Sequence, residues 1–157
     1  MRDAPYGTFP PITVAERPRQ TTITMSTYGF PKAEHLVLKR DIEAIFAAGT
    51  SSTAAFPLRA VWHTTAWDGH SPQVKVMISV SKRKFKHAVD RNRAKRQIRE
   101  AYRLNKQILT DSGAIPQDKA LHVAFIWTSD AQQTTRIIQH KMTCLLQRIK
   151  EKVEQKH

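Results

Sequence analysis

Two periods of apolar residues alternate along this chain. Ile42, Ile45 and Phe46 stand at i, i+3 and i+4, and Gly49 follows as a C-terminal stop, so a helix is predicted from about Lys39 to Ala48. Thr50 to Ala55 predicts a short edge strand. Phe56 to Thr64 predicts a longer strand, with Pro57 marking an edge or a start. After the turn-rich run from Thr65 to Pro72, Val74, Val76, Ile78 and Val80 alternate with Lys75, Met77 and Ser79. That is the period of a strand over Gln73 to Val80, and the two longer runs are expected to pair antiparallel. The same alternation sets Met77, Ser79 and Ser81 on the face away from Ile78, so one side is buried and the other open to a ligand.

Helical spacing returns at Ala94, Ile98, Ala101 and Tyr102, which stand at i, i+4, i+7 and i+8. Lys106 to Lys119 reads as a helix end and a loop, and the unbroken apolar run Ala120 to Trp127 as a buried strand. Ser129 with Gln132 predicts a capping box opening a last helix, from about Asp130 to Glu154. Its Ile138, Met142, Leu145, Leu146, Ile149 and Val153 keep helical spacing and would cover the sheet. Arg136, Lys141, Arg148, Lys150 and Lys152 fall on its outer faces and are read first as solvated, with direct contact to an anionic partner as the alternative. The order helix, strands, helix, strand, helix is α+β, one mixed sheet with helices packed on it.

Residues 1–27 break both periods. They hold four of the eight prolines, at Pro5, Pro10, Pro11 and Pro18, and are expected to be disordered or extended. They carry neither the apolar core of a signal peptide nor the Arg-rich amphipathic pattern of a transit peptide. The composition shift also suggests translation from Met25, which would make the first residues a mis-assigned extension to a domain spanning 28–157. The full 157 residues suffice for one domain with a modest core. The single Cys144 rules out an internal disulfide and fits a reducing compartment, the cytoplasm.

Charge changes the picture most. The stretch from Lys82 to Arg103 holds ten Lys or Arg against two acids, within a chain of formal net charge +13. At about 100° per residue, Asn92, Lys95, Arg96, Arg99 and Arg103 gather beside the apolar face of the central helix. One short helix would then dock by one stripe and present a cationic stripe next to it. Such a surface suits a polyanion, because each cation that meets a phosphate releases condensed counterions. Arginine adds a planar fork, and Asn92 a neutral group for a sugar or a base edge. A plain solvated face is the alternative reading. Nucleic acid is favoured over a membrane, since no long apolar segment exists.

The order of residues narrows this further. Ser79-Val80-Ser81-Lys82-Arg83, then Ala88-Val89-Asp90-Arg91-Asn92-Arg93-Ala94-Lys95-Arg96-Gln97-Ile98-Arg99-Glu100-Ala101-Tyr102-Arg103, resembles the signature of the bacterial ribonuclease P protein component. That signature is a strand ending in V-S-K, a short linker and A-V-x-R-N-R, followed by K-R, I-R and A-[FY]. Here the linker is about one residue longer, and Ala94 replaces a branched aliphatic. Leu36, Asp41, Ile42, Ile45, Phe46 and Gly49 resemble the family's opening, L-x-x-x-x-D-[FI]-x-x-[VI]-F-x-x-G.

The resemblance implies an αβββαβα two-layer sandwich, with a four-stranded mixed sheet and a left-handed β-α-β crossover against the usual rule. It implies that Arg91, Asn92, Arg93, Lys95, Arg96 and Arg99 bind a catalytic RNA, with Lys82, Arg83, Lys84 and Arg103 extending that surface. It further implies that Ile42, Phe46, Arg59, Ser81 and Lys82 line a cleft for the single-stranded 5′ leader of precursor tRNA. Phe46 matches an aromatic position of that cleft, and Ile42 supplies only an apolar contact. Arg59 stands where an aromatic is frequent and would stack on a base or pair with a phosphate. Taken without the resemblance, Ile42 and Phe46 read as core.

The residues suggest no active site of the chain's own. No H-x-E or H-E-x-x-H pattern occurs, His140 and Cys144 make only two ligands one turn apart, and no dense carboxylate cluster suits a two-metal nuclease. Asp90 is expected to cap the central helix. The resemblance implies that the RNA subunit, with Mg²⁺ bound mainly to it, cleaves the phosphodiester, and that no obligate protein partner is required. The rivals are a non-catalytic RNA-binding protein, such as a ribosomal one, and a protein-only nuclease.

Overall fold

The computed structural model describes residues 29–47 and 50–156. The expectations for residues 1–27, for a start at Met25 and for a stop at Gly49 after Ala48 lie outside these residues. A 3-10 turn at Lys32–Glu34 leads into α1, Lys39–Ile45. Strands β1, Ser51–Ala55, and β2, Leu58–Ala66, form a hairpin whose two-residue tip is Phe56 and Pro57. Thus β2 begins two residues later than predicted, because those residues make the turn. Next come β3, Val74–Ser79, and the central helix α2, Ala88–Asn105. A single-turn α3, Gln107–Thr110, precedes β4, Lys119–Trp127, and the long α4, Thr135–Gln155.

The sheet order is β1-β2-β4-β3. The expected antiparallel pairing of the second and third strands is therefore wrong: β4 lies between them, antiparallel to β2 and parallel to β3. The physical reason is burial. Alternating β3 has one half-open face and tolerates an edge, whereas β4 is buried almost throughout and belongs in the middle.

One face of the sheet carries Leu58, Ala60 and Trp62 of β2, Val74 and Val76 of β3, and Leu121, Val123, Phe125 and Trp127 of β4. Helices α2 and α4 cover it. All four predicted apolar positions of α2 are fully buried there, as are Ile138, Met142, Leu145, Leu146 and Ile149 of α4. The other face carries a smaller cluster, in which Ile42 and Ile45 of α1 pack with Leu36, Val61, Met77, Ala124 and Ile126.

Two caps differ from the sequence expectation. Thr134, not Ser129, caps α4: its Oγ1 accepts from the Ile137 N–H at 3.4 Å. The preceding turn is instead stitched to α2. Gln132 Nε2 donates to the Asp90 carbonyl at 3.0 Å, and the buried Gln97 donates to the Gln133 carbonyl at 2.8 Å. Asp90 does not cap α2, since His87 holds the N-cap position; Asp90 lies in the first turn, where its charge suits the helix dipole.

Long-range polar contacts secure the periphery. Buried Lys106 bonds Glu34 at 2.9 Å and the Gly29 carbonyl, while Phe30 lies between His35 and Tyr102. Leu36 N–H donates to the Val76 carbonyl on β3 at 2.9 Å. Arg148 and Lys152, read from sequence as solvated, reach across to β1 and donate to the carbonyls of Ala54 and Ser52 at 2.6 and 3.1 Å.

Candidate nucleic-acid interface

The basic stretch becomes a surface because its linker is nailed down. Phe85, the lone aromatic among Lys82 to His87, is 7% exposed and packs against Trp127 with ring centroids 5.8 Å apart. Arg91 Nη1 donates to the Phe85 and Lys86 carbonyls, both at 2.8 Å, and Ser81 Oγ accepts from the Arg83 N–H at 3.1 Å. Lys82, Arg83 and Lys86 are held at the surface on either side of this plug. Sequence reasoning missed Phe85; its signal was a single large apolar residue inside a run of cations.

Of the nine cations expected to meet RNA, three have partners within the protein. Lys84 pairs with Asp130 at 2.8 Å, Arg91 serves the linker, and Arg103 pairs with Glu100 at 2.5 Å. The Arg103 bond holds the Glu100 carboxyl below its ordinary range, so that pair stays ionised at neutral pH. Arg93, Lys95, Arg96 and Arg99 make no ion pair or hydrogen bond among the described residues. Buried Ala94, Ile98 and Ala101 fix the backbone beneath them. Asn92, Arg93 and Arg96 line a shallow concavity with Val89, which is 78% exposed.

The residues expected to line a leader cleft belong to the opposite sheet face and its rim. Strand register sets Ala54, Arg59, Ile126 and Ser79 in one row across all four strands. The next row contains Val61, Ala124 and Met77, over which Ile42 and Ile45 pack. Ile42 is thus half-buried, whereas Phe46, at the end of α1, is 52% exposed and Arg59 is exposed. Ser81 and Lys82 emerge, exposed, where β3 ends. One strand-to-helix passage therefore connects the free cations of α2 with the open end of this face.

Among the described residues, no group of three or more His, Cys, Asp or Glu side chains is disposed to hold a metal ion. Nor is any described helix long and apolar enough to cross a membrane. The chemistry on offer is recognition: fixed positive charge, an exposed ring and a guanidinium on a sheet.

Comparison with known proteins gives this surface a context. The family model Ribonuclease P matches residues 30–150. The ribonuclease P protein component of Porphyromonas gingivalis is 35% identical over 126 residues, covering 79% of this chain and 88% of that protein. The corresponding protein of Chlorobium phaeobacteroides is 38% identical over 97 residues, covering 57% and 65%. The solved RNase P protein of Staphylococcus aureus superposes with a TM-score of 0.56 at 25% identity, covering 75% of this chain and 96% of that one. The Thermotoga maritima RNase P protein shares the fold with a TM-score of 0.54 at 24% identity, covering 73% and 96%.

Proposed function

The chain belongs to the ribonuclease P protein component family and serves tRNA 5′-end processing as a ribonuclease P subunit; from that premise we propose that it grips two RNAs with two adjoining surfaces that meet at Lys82. The first surface is α2 and its linker. Arg93, Lys95, Arg96 and Arg99, with Asn92, Lys82 and Arg83, contact the catalytic RNA. Lys84, Arg91 and Arg103 contribute to the same field while holding their internal partners. The second surface is the sheet face rimmed by Phe46, Ile42, Arg59, Ser81 and Lys82, which takes the 5′ leader of precursor tRNA. Phe46 offers a stacking platform and Arg59 a planar cation for base or phosphate.

The observation that carries this reading is the set of four cations on α2 that have no ion-pair or hydrogen-bond partner among the described residues, on a backbone fixed by core packing. Such charge offsets repulsion between two RNA backbones and lowers the Mg²⁺ concentration they need. Mg²⁺ in this scheme is held by the RNA subunit, which carries the phosphodiester cleavage. The protein binds and orients. A leader contact favours precursor over mature tRNA, because only the precursor has that segment. The bacterial cytoplasm is the expected setting.

The test is cleavage of precursor tRNA at low Mg²⁺ by the matching catalytic RNA, with and without the protein. The expected result is an inert protein that restores cleavage by the RNA. Binding without any gain in cleavage would return the chain to general RNA binding, and cleavage by the protein alone would place an active site in it.

A further inference from the structure

The sheet face that carries Arg59 ends in a second groove. Register sets His63, His122 and Lys75 side by side on β2, β4 and β3. This row lies four residues along the strand from Arg59, on the order of 13 Å at about 3.3 Å per residue. Asp41 of α1 interacts electrostatically with His122, and Trp67 and Leu38 add apolar walls. The space is about 260 Å³. That is below the ~300–1,000 Å³ of pockets for drug-sized ligands and suits a group the size of one base.

His122 is the informative residue. It is 6% exposed, it lines the groove, and its ring makes no hydrogen bond among the described residues. Lining the groove, the ring can present its polar edge to a ligand that enters. Burial lowers the imidazole pKa, so the ring is neutral and offers one donor and one acceptor. Lys75, its neighbour in the register, has no carboxylate within ion-pair distance among the described residues. Arg40 stands at the mouth, its side chain 87% exposed and 3.5 Å from Asp41.

We propose that this groove binds one unpaired nucleotide of single-stranded RNA, with the base edge on His122 and the adjoining phosphate on Lys75. A neutral donor–acceptor pair matches a base edge. The Asp41 carboxylate keeps phosphate away from the His122 end and leaves it to Lys75. Resting on the leader-binding reading above, this assigns the groove to leader nucleotides beyond those at Arg59, and it makes the protein sensitive to leader length.

The experiment uses assembled ribonuclease P and two precursor tRNAs, one with a short leader that ends within the cleft and one with a leader long enough to pass beyond it. His122→Ala and Lys75→Ala are compared with the unaltered protein. Each variant should lose affinity for the long-leader substrate by about fivefold, the effect of roughly one hydrogen bond, with short-leader binding unchanged. Thermal unfolding monitors His122→Ala, whose site is buried; Lys75→Ala, nearer the surface, decides the matter if His122→Ala fails to fold. Wild-type affinity for the long leader in Lys75→Ala, or equal losses on both leaders, overturns the groove. Should Phe46→Ala still discriminate by leader in that case, the cleft reading survives; if Phe46→Ala and Arg59→Ala show no leader effect either, both readings fall.

Discussion

Arg91 and Phe85 are joined across the entrance to α2, the guanidinium donating to the Phe85 carbonyl at 2.8 Å while the Phe85 ring is buried against Trp127. The cation at the centre of the basic motif thus fastens the linker that displays its neighbours. Arg91→Lys preserves the charge and loses the two-carbonyl grip. It should lower stability by about 1–2 kcal/mol and weaken RNA binding without changing its salt dependence. Urea unfolding together with a salt titration checks this. A shallower salt slope at unchanged stability would instead make Arg91 a phosphate contact.

Arg93 presents the opposite case, a cation with no partner among the described residues. Arg93→Ala should leave stability within about 0.5 kcal/mol of wild type. It should weaken binding to the catalytic RNA and reduce the log–log salt slope by about one. Full cleavage at low Mg²⁺ in this variant would remove Arg93 from the interface.

For Phe46, exposure separates recognition from packing. Phe46→Ala should cost about 1–3 kcal/mol in binding precursor tRNA, the range for a lost base–aromatic stack, and nothing in binding mature tRNA. Equal losses on both would make the ring a structural one.

Lys106 and Glu34 test the buried ion pair that ties residues 29–34 to the end of α2. Lys106→Met strands the Glu34 carboxylate and should cost about 3 kcal/mol of stability. The double variant with Glu34→Gln should recover part of that loss. A double-mutant cycle in urea measures the recovery, and simple additivity of the two losses would show that the charges do not depend on each other.

His122 gives the pH dependence. Burial is the main cause of its lowered pKa; Lys75 and His63 push the same way and Asp41 opposes them. The unfolded chain therefore takes up a proton that the folded ring refuses. Stability is complete above the ordinary histidine value of 6.5 and declines as pH falls through it toward the depressed folded value. Unfolding midpoints followed from about pH 8 to about pH 5 should fall in the wild type and fall less in His122→Gln. Parallel profiles would assign the decline to other groups.

Much of this arrangement is visible in the chain alone. The spacing of Ala94, Ile98, Ala101 and Tyr102 locates the buried face of α2, and so the cationic face beside it, because a helix fixes both from one period. The alternation in β3 separates Met77 from Val76 for the same reason. Strand neighbours were not legible: alternation states which face a residue takes, not which strand adjoins it, and β4 enters the sheet from the far side of α2. The cap at Thr134 was hidden because Ser129 carries an equally good local pattern, and only the contacts of Gln132 and Gln97 with their distant carbonyls decide between them. Glu34 and Lys106, and likewise Arg148 and Ala54, are linked over such separations that no local pattern joins them.

Arg148 and Lys152 on β1, and the Leu36 bond on β3, have a consequence for the protein before it meets RNA. Both outermost strands of the sheet have part of their outward backbone already occupied, β1 by cations that also repel a like-charged copy. A second molecule finds little template along which to zip. A strongly basic chain that waits among polyanions can then stick only through charge, which salt reverses, rather than through strand pairing that would propagate into fibres.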